Sequence, residues 1–255
     1  MTYCVGLRLD RGLVFASDTR TNAGLDNIAT FRKMHVWERH GDRVLILLSA
    51  GNLAVTQAVI SNLNEQIDAH RDDGRPSLLN VETMFRAARL VGDAVREVRK
   101  VDGPALDVFS ASFILGGQIH GEPPRMFQIY TEGNFIEATK DTPYFQIGEH
   151  KYGKPILDRV ARPEMAMGDA AKLVLLSFDS TLRSNLSVGL PIDITIYERD
   201  SMKVGPQKRI GQDDPYFRML SRSWSEGLRD TFGRIEALDL SDEGTSTSPS
   251  EGGKS

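Results

Sequence analysis

The second residue of the chain is Thr2, directly after Met1. Threonine is small enough for the initiating methionine to be trimmed before it, so the expected mature chain starts with a free threonine. Such a residue carries a hydroxyl nucleophile and an α-amine on adjacent carbons. The amine's reference pKa of about 7.7–8.0 leaves an appreciable neutral fraction at physiological pH. A neutral amine can take the hydroxyl proton, directly or through one water. A Met-Thr start is common, and alone it says almost nothing.

Three further features add to it. Asp18 stands in Ala16-Ser17-Asp18-Thr19-Arg20, where the return strand of a tight hairpin ends beside the chain start. Lys33 opens the next strand. A Lys–Asp pair beside a hydroxyl gives a fixed positive charge that favours the alkoxide and orients the nucleophile. Ser49-Ala50-Gly51-Asn52-Leu53-Ala54 reads as a strand that runs through glycine into a helix. N–H groups at a helix start favour negative charge, and glycine lets a substrate carbonyl approach closely. Gly51 N–H is thus a candidate oxyanion donor. Taken singly, Asp18 and Lys33 also read as surface charges, and Gly51 as a plain strand-to-helix turn.

Other chemistries have little support. The five histidines (His35, His40, His70, His120, His150) show no metal-ligand spacing. Gly116-Gly117 lacks a following Lys-Ser/Thr, and Gly252-Gly253-Lys254-Ser255 lacks a strand before it and a helix after it, so no P-loop is read. Neither metal nor cofactor is expected, and any ATPase partner would be a separate chain. A net charge of −4 with 26% charged residues gives no electrostatic reason to expect nucleic acid or an anionic membrane. Cys4 is the only cysteine; no intrachain disulfide is possible, and it reads as a small apolar residue in a strand. No apolar run approaches the ~20 residues of a membrane span, and no signal peptide is read, so the expected location is the cytoplasm.

The elements that must position these residues follow from periodicity. Tyr3–Leu9 and Leu13–Ser17 read as a hairpin about Asp10-Arg11-Gly12, and Met34–Glu38 with Val44–Ser49 as a second. Val55, Val59, Ile60, Leu63 and Ile67 mark one helix face. Val81, Met84, Phe85, Ala88, Val91, Val95 and Val98 mark another, with Asn80 as N-cap. Asp107–Leu115 reads as a strand buried on both faces. Arg125–Tyr130 and Asn134–Ala138 read as a hairpin, Lys151–Ala161 and Pro163–Ser184 as helices, and Ile192–Glu198 as a last strand. Helices grouped in pairs between antiparallel strands predict an α+β fold: a four-layer αββα sandwich of two antiparallel sheets. One domain is expected over residues 1–200. A helical extension with an apolar stripe (Tyr216, Phe217, Leu220, Trp224, Leu228, Phe232, Ile235) follows over 201–240, packed on the domain or on a neighbouring subunit. Residues 241–255 are mostly Ser, Gly, Thr and acid without an aromatic, and are expected to be disordered.

Thr2, the Asp18-Thr19-Arg20 turn, Lys33 and Ala50-Gly51 together resemble the catalytic pattern of proteasome β-type subunits, which are N-terminal-nucleophile hydrolases. The resemblance covers residues 2–200. It implies that Thr2 is the nucleophile, its amine the proton acceptor, Asp18 and Lys33 the supporting pair, and Gly51 the oxyanion donor. Ser184-Asn185-Leu186-Ser187-Val188-Gly189 resembles the family's Asp-x-x-Ser-Gly-Gly segment, which implies that Ser184 and Ser187 back the amine. Here Ser184 stands where the family has Asp, and Gly148-Glu149-His150 where it often has Gly-Ser-Gly. Glu149 then either accepts a hydrogen bond from the amine or is solvated. Thr21, Asn22, His35, Ser49 and Leu53 are candidates for the substrate pocket. The propeptide-free start is similar to HslV-type subunits, but the chain is too long for one. Ser-Asp-Thr-Arg-Thr-Asn-Ala-Gly and Phe-Arg-Lys-Met-His-Val-Trp most resemble the bacterial Anbu peptidases. The resemblance implies peptide-bond hydrolysis in a homo-oligomeric chamber, ring or open spiral, fed with unfolded polypeptide and served by a possible separate ATPase or adaptor. A catalytically silent scaffold of the same fold and acyl transfer to an amine are the alternatives.

Overall fold

The computed structural model describes residues 2–22, 28–69, 74–102 and 110–238. In chain order the strands and helices are β1 (Tyr3–Leu9), β2 (Gly12–Asp18), β3 (Arg20–Asn22), β4 (Ile28–Thr30), β5 (Met34–Arg39), β6 (Arg43–Gly51), α1 (Leu53–Ala69) and α2 (Met84–Asp102). There follow β7 (Ala111–Ile119), β8 (Arg125–Ile129), β9 (Phe135–Glu137), β10 (Tyr144–Gly148), α3 (Lys154–Val160), α4 (Met167–Ser184), β11 (Ile192–Glu198), β12 (Gln207–Ile210) and α5 (Pro215–Arg234). One sheet runs β10-β1-β2-β11-β12 and the other β5-β6-β7-β8-β9, and β3-β4 is a separate two-stranded ribbon. Every pairing is antiparallel.

The period of two along each strand divides its side chains between two cores. On β6, Val44, Ile46, Leu48 and Ala50 face the opposite sheet, where they meet Cys4, Leu13 and Phe15, with Ile114 of neighbouring β7 in the same core. Leu45 and Leu47 point the other way, onto Val55, Val59 and Leu63 of α1 and Met84, Ala88 and Val91 of α2. On β1, Tyr3, Val5 and Leu7 face Leu173, Val174 and Phe178 of α4. Three cores between four layers make the predicted αββα sandwich. Each fully buried Leu, Ile, Val or Phe contributes about 1.5–3 kcal/mol of transfer free energy, so the layer order is fixed many times over. No helix among the described residues is long and apolar enough to cross a membrane.

Several boundaries differ from the sequence reading. Asn80 does not cap α2; it holds the preceding loop, accepting from Ser77 N–H and donating to Arg75 C=O. Thr83 caps instead, its hydroxyl accepting from Arg86 N–H. The buried strand placed at Asp107–Leu115 begins at Ala111 and continues to Ile119, and residues 103–109 lie outside the described residues. Pro163 is not in α4; its carbonyl accepts from Asp10 N–H at the first hairpin. β12 was missed because Gln-Lys-Arg-Ile is a polar edge strand exposed at three of four positions. β10 was missed because Thr139–Pro143, all turn formers and charge, masked the short alternation after it. At α5, Asp214 accepts from Phe217 N–H as N-cap. Phe217 and Leu220 join the core beside α4, whereas Leu228 and Phe232 are exposed. The tail over 241–255 lies outside the described residues.

Candidate active site

The start of the chain is pinned from three sides. Tyr3 is fully buried, its ring 4.6 Å from that of Phe178 and its hydroxyl bonded to Ser177 Oγ and to Gln146 Nε2. Its N–H donates to Asp18 Oδ1 at 3.0 Å. The carbonyl of Thr2 accepts from Glu149 N–H at 2.6 Å, where β10 ends alongside β1. Gly148 has φ +80, and a Cβ there would stand 2.1 Å from the Thr2 carbonyl oxygen, so only glycine permits this closure. Thr2 is therefore held by its own backbone, and its side chain lines a cleft of about 870 Å³.

That cleft gathers most of the residues singled out from the sequence. Thr2, Lys33 and Gly51 line it, together with Thr21, His35, Ser49 and Leu53. Asp18 lies just behind, with no exposed surface. Its Oδ1 accepts from Lys33 Nζ at 2.7 Å and its Oδ2 from Gly189 N–H at 3.4 Å. Lys33 also donates to the Arg20 carbonyl at 2.6 Å. Burial pushes the Asp18 carboxyl up, opposed by the Lys33 ammonium and by the N–H groups of Tyr3 and Gly189. Hairpin geometry explains the meeting: the register sets Cys4 opposite Ser17, so Asp18 returns to the level of Tyr3.

Gly51 ends β6 with φ +116, and a Cβ there would lie 2.1 Å from the Ser110 carbonyl oxygen. It cannot be any other residue without moving β7's approach. Asn52 then caps α1, its Oδ1 accepting from Ala54 and Val55 N–H. One stripe of α1 (Leu53, Thr56, Gln57, Ile60, Ser61) forms a wall of the cleft. The sequence points to Leu53 alone of this stripe as a pocket residue, yet the i, i+3, i+4, i+7, i+8 spacing of the whole stripe is legible in it.

The groups expected to back the amine are arranged differently. Glu149 is not solvated: it is 6% exposed, and its Oε1 accepts from His150 and Lys151 N–H. Its Oε2 accepts from Asn185 Nδ2 at 2.7 Å. Burial raises its carboxyl, but these donors outweigh burial and hold it below the usual range. Ser184, the last residue of α4, is exposed and does not line the cleft. Asn185, which the sequence reading passed over, is the buried neighbour that turns inward. Its Oδ1 accepts from Ser187 N–H, which places Ser187 on the loop held by Glu149 and Asn185. Arg20 ties the same loop to the Asp18 strand, donating to the Leu186 carbonyl at 3.0 Å. Asn22 ends β3, and its side chain lies outside the described residues. No group of His, Cys, Asp and Glu among the described residues could hold a metal ion. Cys4 is fully buried and its thiol is pushed up by burial, which leaves it inert at neutral pH.

His35 lines the cleft with its pKa lowered, first by burial and then by the charge of Arg32. Protonation is therefore harder in the folded protein than in the unfolded chain. The linked stability falls as pH drops below about 6.5, the unfolded value. Arg32→Gln should move the His35 imidazole titration upward, burial holding it still below that of free histidine. Two-dimensional NMR of the ring protons reads this directly, and an unmoved titration would remove Arg32 from the neighbourhood.

Comparison with known proteins agrees with this architecture. A family model described as Proteasome subunit matches residues 2–197. No curated protein sequence matches. An Anbu structure from Hyphomicrobium sp. strain MC1 is 63% identical, with a TM-score of 0.88 over 93% of this chain and 100% of that one. Anbu from Yersinia bercovieri, described as an ancestral beta-subunit, is 52% identical with a TM-score of 0.88, covering 93% of this chain and 100% of that one. The Anbu complex from Pseudomonas aeruginosa, described as a helical assembly, is 48% identical with a TM-score of 0.88 over 93% and 98% of the two chains. The chain belongs to the proteasome subunit family, alongside the Anbu proteins.

Proposed function

We propose that this chain is a threonine-type N-terminal-nucleophile endopeptidase that cleaves unfolded polypeptide inside a homo-oligomer. The observation that carries the reading is the convergence of Thr2, Lys33 and Gly51 on one cleft, with buried Asp18 bonded both to Lys33 and to the backbone beside Thr2. Thr2 Oγ attacks the substrate carbonyl carbon, and its proton passes to the free Thr2 amine. Gly51 N–H donates to the oxygen that becomes negative, and the Lys33 charge favours the alkoxide. The protonated amine then gives its proton to the departing nitrogen, leaving an ester on Thr2. Water attacks that ester, the amine takes a proton from the water and returns it to Oγ, and the acid product leaves. An amine still acylated by Met1 is not a base, so the reading requires Met1 to be absent.

Self-association is supported by the helical assembly of the Pseudomonas aeruginosa relative. A cytoplasmic site and unfolded substrate, delivered with or without a separate ATPase or adaptor, complete the reading. The departures at Glu149 and Ser184 do not favour a silent scaffold, because the Glu149 side chain is satisfied by Asn185 while the Glu149 N–H holds the Thr2 carbonyl. The test is reaction with a peptide electrophile directed at N-terminal threonine, followed by intact mass and peptide mapping. One adduct at Thr2 on a chain lacking Met1 is the expected result. A chain that retains Met1 and stays unmodified would favour the scaffold.

A further inference from the structure

The cleft beside Thr2 is one-sided in charge. Among the described residues that line it are two cations, Arg32 and Lys33, the imidazole of His35, and no carboxylate. Lys33 is neutralised from behind by Asp18 at 2.7 Å. Arg32 is different: it is exposed and forms no ion pair among the described residues, and its charge reaches His35 inside the cleft. The polar remainder of the lining, Thr21, Ser49, Gln57 and Ser61 among it, is uncharged and rich in hydroxyls. A cationic substrate side chain would meet Arg32 with no acid among the described lining residues to receive it. An acidic one would gain the guanidinium and the hydroxyl donors.

On the reading that Thr2 is the nucleophile, we infer that Arg32 makes the enzyme selective for peptides with Glu or Asp immediately before the scissile bond. The carboxylate enters the cleft between Lys33, His35 and the wall of α1 and pairs with Arg32 near the mouth. At partial solvent exposure such a pair discriminates modestly. Glu should exceed its isostere Gln by about tenfold at low salt, and the ratio should shrink to a few-fold near 0.5 M, where screening acts within a few ångströms. Lys at that position should be the poorest residue, being both repelled and unpaired.

The test uses the full-length protein and a set of blocked peptides that differ only in this residue: Glu, Gln, Leu and Lys. Two readouts keep selectivity separate from chemistry. The first is the rate at which electrophilic versions of the four peptides form the Thr2 adduct. The second is the affinity of the Thr2→Ala variant for the unreactive peptides by fluorescence anisotropy, which needs no nucleophile. Glu leading in both, with the lead lost in Arg32→Gln and passing to Lys in Arg32→Glu, supports the inference. Adducts that form equally with Glu and Gln, or fastest with Leu, overturn the selectivity and leave the nucleophile standing. Absence of every adduct together with selective binding of the Glu peptide overturns the peptidase reading while the acidic preference of the cleft survives. Equal binding of all four peptides overturns the preference whatever the chemistry shows.

Discussion

On the proposed mechanism, Thr2→Ala should lower peptide hydrolysis by about 10⁴-fold or more while leaving the fold and any assembly intact. The size follows from what the substitution deletes. In the proposed mechanism the nucleophile and the proton acceptor belong to one residue, so losing Oγ leaves the amine no hydroxyl to activate, and the residual rate is that of water attacking a carbonyl polarised by the Gly51 N–H. The expectation of an unchanged fold follows from where the holding forces are. The Thr2 carbonyl takes the Glu149 N–H, and the chain behind it is anchored by Tyr3 in the core; neither bond uses the threonine side chain. Thermal unfolding should thus move by no more than about 2 °C, the scale of a small surface substitution in a chain this long. Thr2→Ser keeps the hydroxyl and the amine, and should keep a measurable rate. Hydrolysis of fluorogenic peptides by the three proteins is the measurement. Full activity in Thr2→Ala would mean that the cleft works through another group.

The sequence made this centre legible unevenly, for physical reasons. Thr2, Asp18 and Gly51 each sit at a local signal: a chain start, the end of a two-residue hairpin, a glycine between strand and helix. Local signals survive in one dimension. The Glu149–Asn185 bond joins residues 36 positions apart and has no such signature. The one-residue error between Ser184 and Asn185 has a cause as well. α4 stops at Ser184, and Asn185 takes an extended backbone with φ −138, so its side chain leaves the helical rotation and turns inward. A reading by motif register cannot see that change of direction. Periodicity marks Tyr3 as one strand residue among many, whereas its ring, hydroxyl and N–H together hold the backbone beside Thr2. The layer order, by contrast, was recoverable because helical and strand periodicities alternate in blocks along the chain.

The Asp18–Lys33 pair separates stability from chemistry. Lys33→Met leaves the Asp18 carboxyl fully buried with, among the described residues, the two backbone donors of Tyr3 and Gly189. Breaking a buried pair on one side costs about 3–5 kcal/mol. The pH dependence of that loss identifies its origin. Without the ammonium the folded-state pKa of Asp18 rises further above the unfolded value. Between those two values the folded protein binds more protons than the unfolded chain. Stability in Lys33→Met therefore falls as pH rises through that window, and most of the loss is recovered in acid. Asp18→Asn should cost less, because the amide carries no net charge and Lys33 keeps the Arg20 carbonyl. In the double variant Asp18→Asn/Lys33→Met neither charge remains, and its loss should be well below the sum of the two single losses. Chemical denaturation of all four proteins between pH 5 and 8 measures these differences. Activity should not follow stability. On the proposed mechanism the developing alkoxide of Thr2 then loses the fixed lysine charge that favours it, so Lys33→Met and the double variant should both lose about 100-fold or more in kcat. A double variant that regained its rate along with its fold would make the pair a packing device. A double variant that regained only its fold would assign the lysine charge to the reaction.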